Sequence, residues 1–228
     1  MEYQVKGQTV PTIEITLNKN ESVYTQSGAM IYQTNDVATQ TNARGGVLAS
    51  IGRAFAGESM FTVNYTAMND NQKVAFAATV PGSIIPIDLS AMPQGMMLQK
   101  NAFLCAEQTV NTKVTFTKRL SAGFFGGEGF ILQHATGTGK LFIEVDGDAI
   151  EFILQPGEVL KVDTGNVVAF APTVAYEIEM IRGFGNILFG GEGLFLTKLV
   201  GPGRVILQTQ NIREFANRII PYLPSKSS

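Results

Sequence analysis

Phe125-Gly126-Gly127-Glu128-Gly129-Phe130 returns as Phe189-Gly190-Gly191-Glu192-Gly193-Leu194, an offset of 64 residues. The same offset carries Gly137-Thr138-Gly139-Lys140-Leu141-Phe142-Ile143 onto Gly201-Pro202-Gly203-Arg204-Val205-Ile206-Leu207. Two separated matches in one register mark an internal repeat, and a repeat governs how everything around it is read. A third copy, Phe55-Ala56-Gly57-Glu58-Ser59-Met60-Phe61, places Glu58 70 residues before Glu128. Upstream, Glu21 to Gly28 followed by Ala29-Met30-Ile31 matches Glu158 to Gly165 followed by Asn166-Val167-Val168. Gln94 to Asn101 followed by Ala102-Phe103-Leu104 fits at the same spacing. These anchors divide the chain into units near 8–83, 84–148 and 149–211, with the extra residues of the first unit placed in Asn42-Ala43-Arg44-Gly45-Gly46.

Within a unit the pattern is that of strands. In Lys140 to Asp146, Leu141, Ile143 and Val145 alternate with Phe142, Glu144 and Asp146, the period of two of a half-buried strand. Val205 and Leu207 fall on the matching face of the third unit, and Thr112-Val114-Phe116 and Tyr176-Ile178-Met180 alternate likewise, again 64 apart. The Gly-x-Gly turns before Lys140 and Arg204 supply the positive φ that tight hairpin loops require. The first unit departs in phase: Phe61, Val63 and Tyr65 alternate where the second has Phe130, Ile131 and Leu132 in succession. One helix is expected, at the end. Asn211 can cap it, Glu214 stands in the capping-box position, Ile212, Phe215, Ala216 and Ile219 trace one face, and Pro221 stops it. Its short length suggests docking on the β body.

Composition narrows the function classes. The 228 residues carry 17 Lys+Arg against 19 Asp+Glu, a formal charge of −2, with no basic cluster, so the electrostatic footprint of sequence-independent nucleic-acid binding is missing. Met1-Glu2-Tyr3-Gln4-Val5-Lys6-Gly7 has neither the apolar core of a signal peptide nor the character of a transit peptide. No apolar run has the length of a membrane span. Cys105 is the one cysteine and His134 the one histidine, and no Cys/His/Asp cluster has metal-ligand spacing, which takes most of the support from zinc hydrolysis and from Ser-His-Asp chemistry. A cytoplasmic location, peripheral membrane contact included, and no cofactor are the resulting expectations.

The F-G-G-E-G-[F/L] segments, the downstream G-x-G turns and the threefold repetition resemble the altered-inheritance-of-mitochondria protein 24 family, over roughly residues 1 to 215. The resemblance implies an all-β fold similar to the TRAP-like variant of the double-stranded β-helix, with three repeats around a pseudo-threefold axis. It implies no established catalytic activity. It carries no tryptophan- or RNA-binding residues over, because the likeness to TRAP is one of fold.

Glu58, Glu128 and Glu192 are the residues repeated most plainly. A glutamate between glycines at a strand entry can accept backbone N–H bonds and lock the turn; three converging on an axis would instead suit a hard cation. Phe124 and Phe125, echoed by Phe189, form an aromatic, glycine-flanked segment that is core if packed inward and an apolar interaction patch if exposed. Gly45-Gly46-Val47-Leu48-Ala49-Ser50-Ile51-Gly52-Arg53 lacks the G-K-[S/T] ending of a phosphate loop. His134 aligns with Asn64 and Lys198, a polar position, and Cys105 reads as a buried small hydrophobe.

The expected protein is thus a single all-β domain over 1–228: three pseudo-threefold-related antiparallel repeats plus a short C-terminal helix and tail (212–228). The expected function is that of a non-enzymatic scaffold or adaptor, with a stress-related role in view, binding protein partners or a membrane surface through loop faces, no nucleic acid, and homo-oligomerisation through free strand edges. The alternative is a cation- or small-molecule-binding protein using the repeated glutamates.

Overall fold

The computed structural model describes residues 1–26, 28–43, 61–118, 130–181 and 194–223. Among these the chain is almost all β, as the alternating pattern implied. A leading strand β1 (Glu2–Lys6) precedes a first set of six: β2 (Thr12–Leu17), β3 (Ser22–Thr25), β4 (Met30–Gln33), β5 (Val37–Ala43), β6 (Phe61–Ala67) and β7 (Gln72–Ala77). The second set is β8 (Gly82–Asp88), β9 (Met96–Gln99), β10 (Phe103–Glu107), β11 (Val110–Lys118), β12 (Phe130–Gly137) and β13 (Lys140–Asp146). The third is β14 (Ala149–Leu154), β15 (Val159–Asp163), β16 (Val167–Phe170), β17 (Ala175–Ile181), β18 (Leu194–Val200) and β19 (Gly203–Gln208), followed by helix α1 (Ile212–Ile219).

One pairing rule builds all three sets. The sixth strand lies between the first and third, and the fifth between the second and fourth, always antiparallel. The second strand of one set then pairs antiparallel with the third strand of the next, β3 with β10 and β9 with β16. The resulting sheets run β1-β2-β7-β4, β5-β6-β3-β10-β13-β8, β11-β12-β9-β16-β19-β14 and β15-β18-β17. Each third strand also carries a register shift at the same place, between Met30 and Tyr32, Phe103 and Cys105, and Val167 and Ala169. A bulge at these points leaves one extra residue in the strand and re-aims the side chains around it.

Three apolar cores follow from this arrangement. The first joins Ile13, Ile15, Val74 and Phe76 to Leu104 and Phe142 of the second set. The second joins Leu98, Leu141 and Ile143 to Val168, Ala169 and Ile206 of the third. The last surrounds Phe170, Leu199 and Val205 and takes in Met97, Phe130 and Leu132. The expectation that β13 is half-buried is corrected: Leu141, Ile143 and Val145 fill the second core while Phe142 fills the first, so both faces are covered. β12 is likewise buried on both faces at Phe130, Ile131 and Leu132, which is why its sequence shows no alternation. Cys105 is fully buried, and burial pushes its thiol well up.

The β12–β13 hairpin shows what its glycines do. Gly139 has φ +120°, and a Cβ there would lie 2.2 Å from a carboxylate oxygen of Glu107 and 2.5 Å from the Thr109 hydroxyl. That Glu107 oxygen already accepts the Lys140 backbone N–H at 2.7 Å. Helix α1 spans the residues expected of it, and Asp146 accepts the Ile212 N–H at its start at 3.2 Å. Its expected docking on the β body is corrected: Ile212, Phe215 and Ile219 are 43 %, 46 % and 41 % exposed. Amphipathic spacing fixes which face is apolar, not what covers it.

Candidate functional site

Each six-strand set ends its fourth strand and begins its fifth at neighbouring points. Ala43 is paired with Phe61, Lys118 with Phe130 and Ile181 with Leu194. The sequence candidates fall in the chain between these paired ends: Glu58 between β5 and β6, Phe124, Phe125 and Glu128 between β11 and β12, Phe189 and Glu192 between β17 and β18. All six lie outside the described residues, as does the whole glycine-rich stretch from Gly45 to Arg53. The described strand ends show that the three motif segments occupy the same place in the pairing scheme. In each case the fourth strand, β5, β11 or β17, is the outer member of its sheet.

The sequence reading missed a set of ion pairs that follows the same scheme. The sixth strands bring Lys73, Lys140 and Arg204 to equivalent places, since Val74, Leu141 and Val205 next to them pair with Gln33, Ala106 and Phe170. Each cation meets an acid of the first strand of its set: Lys73 with Glu14 at 2.9 Å, Lys140 with Asp88 at 2.9 Å and Arg204 with Glu151 at 2.8 Å. Arg204 binds Glu151 through both Nε and Nη2, the fork geometry that suits a carboxylate. Lys140 and Arg204 stand inside the matched hairpin segments; Lys73 follows Asn71-Gln72 instead of a Gly-x-Gly turn, which hides the third member.

Glu14 is the most heavily engaged carboxylate. Lys6 reaches it at 2.8 Å, and Tyr32 donates its hydroxyl to it. Hydrogen bonds from Lys6, Tyr32 and Lys73 lower its pKa to about 2, and the same contact raises the Tyr32 phenol. A carboxylate so stabilised as an anion is a poor general base; its work is to tie β1 and β4 to the sheet. The other shifted acids are also in structural bonds. Glu144, raised by burial, accepts the Thr79 backbone N–H and hydroxyl at 2.6 and 3.1 Å. Asp146 is raised by burial and holds the start of α1. Glu21, lowered chiefly by the Asn18 backbone N–H, closes a turn that Glu158 repeats with Gln155.

His134 sits opposite Met97, as Asn64 sits opposite Tyr24 and Lys198 opposite Lys161, and its Nε2 lies 2.7 Å from the Gln94 carbonyl oxygen. Met96 and Met97 are buried. Among the described residues no group of three or more His, Cys, Asp or Glu is placed to hold a metal ion, and no helix is long and apolar enough to cross a membrane. Apolar side chains reach the surface at α1, on β14, where Ile150, Phe152 and Ile153 are exposed, and also on β1, β4 and β15, at Tyr3 and Val5, Ile31 and Tyr32, and Val159.

Comparison with known proteins sets these features in context. The family model described as "Mitochondrial biogenesis AIM24" matches residues 3–210. An uncharacterised protein of Streptococcus pyogenes serotype M6, M6_Spy0233, is 32 % identical over 232 aligned positions, covering 98 % of this chain and 91 % of that protein. The X-ray crystal structure of protein SPYM3_0169 from Streptococcus pyogenes superposes with a TM-score of 0.78 at 28 % identity, covering 97 % of this chain and 99 % of that one.

Proposed function

From the premise that this chain belongs to the AIM24 mitochondrial biogenesis family, we propose that it is a non-enzymatic scaffold that attaches to a lipid surface and presents its repeated loops to protein partners. The observation that carries the reading is the uncovered apolar stripe of α1, with Ile212, Phe215 and Ile219 on one side and the exposed Arg218 off it. A helix of this kind lies in a membrane interface with its apolar face down and its cations toward anionic headgroups. The connections bearing Glu58, Glu128 and Glu192, with Phe124, Phe125 and Phe189 beside them, are the second surface of the proposal. Their common place in the pairing scheme supports treating them as one set. We read the recurring strand rule as a pseudo-threefold, TRAP-like body whose task is to hold such loops in a fixed spacing. The acids with displaced acidity are taken up in structural bonds, which supports a scaffold over an enzyme.

The test is flotation of the purified protein with neutral and anionic vesicles, beside a Phe215→Ser/Ile219→Ser variant and a Phe124→Ser/Phe125→Ser variant, each checked for folding by circular dichroism. The wild type is expected to float with anionic vesicles and the helix variant to stay behind. Failure of the wild type to float with any vesicle removes the lipid surface from the proposal.

A further inference from the structure

Helix α1 leaves the body through a root that is clasped from two sides. On one side is the turn between β13 and β14. There Asp148 and Thr209 exchange bonds at 2.8 and 3.0 Å, and Asp146 accepts the Gln210 N–H at its carbonyl at 3.1 Å and the Ile212 N–H at its carboxylate at 3.2 Å. On the other side is the turn Thr164–Asn166. The Asn166 side chain donates to the Gln208 carbonyl at 2.8 Å, and the Gln208 side chain donates back to the Gly165 carbonyl at 2.9 Å. A Cβ on Gly165 would lie 1.7 Å from Nδ2 of Asn211, the residue before the helix. Gly165 is not in the left-handed region, so the glycine is demanded by space and not by backbone conformation. The turn is itself fixed to the body: Thr164, fully buried, donates to the Phe195 carbonyl at 2.9 Å and accepts the Thr197 hydroxyl at 3.0 Å.

The other two sets show that this clasp belongs to the helix. The 64-residue offset puts Asn101 at the place of Gly165 and Gly147 at that of Asn211. In the second set the bulk is thus exchanged between the two positions, and Gly147 leads on to β14 instead of to a helix. In the first set Gly28 holds the place of Gly165, and a Cβ there would meet nothing within 4 Å. Helix α1 has eight residues, too few to persist alone in water, and its apolar side is exposed; in place of packing it has a fixed root. We propose that the turn Thr164–Asn166 is a mount that holds α1 at a set angle to the strands, with Gly165 and Asn211 as its positioning residues, so that the apolar stripe meets an anionic bilayer already ordered. The bilayer as occupant rests on the lipid reading above; the mount does not. A group fixed in its bound orientation loses less conformational entropy on binding, and that saving is what the mount contributes. Through Thr164 and Phe195 the angle is set against β18, so contact by α1 also fixes the tilt of the strand sets above the surface.

Phe215→Trp gives a single tryptophan on α1, since the chain has none. Its time-resolved anisotropy in buffer is expected to decay with the tumbling of the whole protein. Two further changes are made in this parent: Gly165→Ala, which drives Asn211 off its seat, and Asn211→Ser, which removes Nδ2 and keeps a capping hydroxyl. Each is expected to add a fast local decay while the urea midpoint stays near that of the parent. Binding to phosphatidylcholine vesicles containing phosphatidylglycerol is expected to weaken about tenfold, the factor that ordering one backbone residue costs. A contact that serves stability alone would lower the midpoint and leave the other two readings unmoved. Fast local decay already present in the parent overturns the mount, and so does a decay that neither variant alters. Fast decay without loss of vesicle binding overturns the positioning role. If the parent binds no vesicle, the lipid reading fails and the positioning role with it, while the anisotropy still decides the mount. If Gly165→Ala does not fold, Asn211→Ser alone decides.

Discussion

Glu144 on β13 accepts both the backbone N–H and the hydroxyl of Thr79, in the turn between β7 and β8. The bond fastens the link between the first and second strand sets to the last strand of the second. Burial nonetheless raises the Glu144 pKa above its ordinary 4.5. The native state then binds a proton more tightly than the unfolded chain, so stability falls as pH rises from 4.5 through the raised value. Glu144→Gln keeps an acceptor oxygen for Thr79 and removes the titration. Its denaturant midpoint is expected to fall less between pH 4.5 and neutrality than that of the wild type; an identical fall would show that another group governs this limb.

Glu14 acts in the opposite direction. Its folded pKa of about 2 lies below the ordinary 4.5, so between those values the unfolded chain binds more protons. The stabilisation is complete above pH 4.5 and is lost as pH falls toward 2. Glu14→Gln is expected to flatten the acid limb of the stability profile, measured by urea midpoints. Lys73→Met should produce part of the same change, because Lys6 and Tyr32 remain.

Gly139→Ala is expected to destabilise the fold by more than about 1 kcal/mol, the scale at which alanine in a positive-φ position loses to glycine. The added Cβ would also press on Glu107 and displace its bond to the Lys140 N–H. A urea midpoint shift accompanied by faster amide exchange at Lys140 is the signature sought.

Phe142→Ala removes a fully buried ring from the first core and its edge contact with Tyr3, whose centroid lies 5.1 Å away. A loss of about 3–5 kcal/mol is expected for a phenylalanine at such a site. Tyr3→Ala, at a partly exposed position, should cost much less, and comparing the two by equilibrium denaturation separates the core from its cover.

Much of the fold is legible from local pattern. The alternation in Lys140 to Asp146 and the spacing from Asn211 to Ile219 carry the strand and the helix directly, and the matched segments around Gly139 and Gly203 mark the same hairpin twice. What local pattern does not carry is the environment of a face. β13 has a half-buried rhythm but lies between two cores, because the sheet it belongs to is covered on both sides. β1 alternates Tyr3 and Val5 with Glu2, Gln4 and Lys6, yet every residue is exposed; it is held by five paired positions on β2 and by the Lys6–Glu14 contact. The ion pairs of Lys73, Lys140 and Arg204 escape because each acid lies on a strand distant in sequence. The candidate glutamates and phenylalanines were found by repetition, which locates them in the pairing scheme without fixing their surroundings.

A lipid-binding role requires the apolar face of α1 to be free to enter a lipid interface. The chain contains no tryptophan, so Phe215→Trp supplies a single fluorophore on that face. Its emission is expected to be red-shifted in buffer, as for an exposed indole, and to move to shorter wavelength on titration with anionic vesicles. Blue emission already present in buffer would show the helix packed on the β body. Red emission that no vesicle composition alters would equally contradict the account.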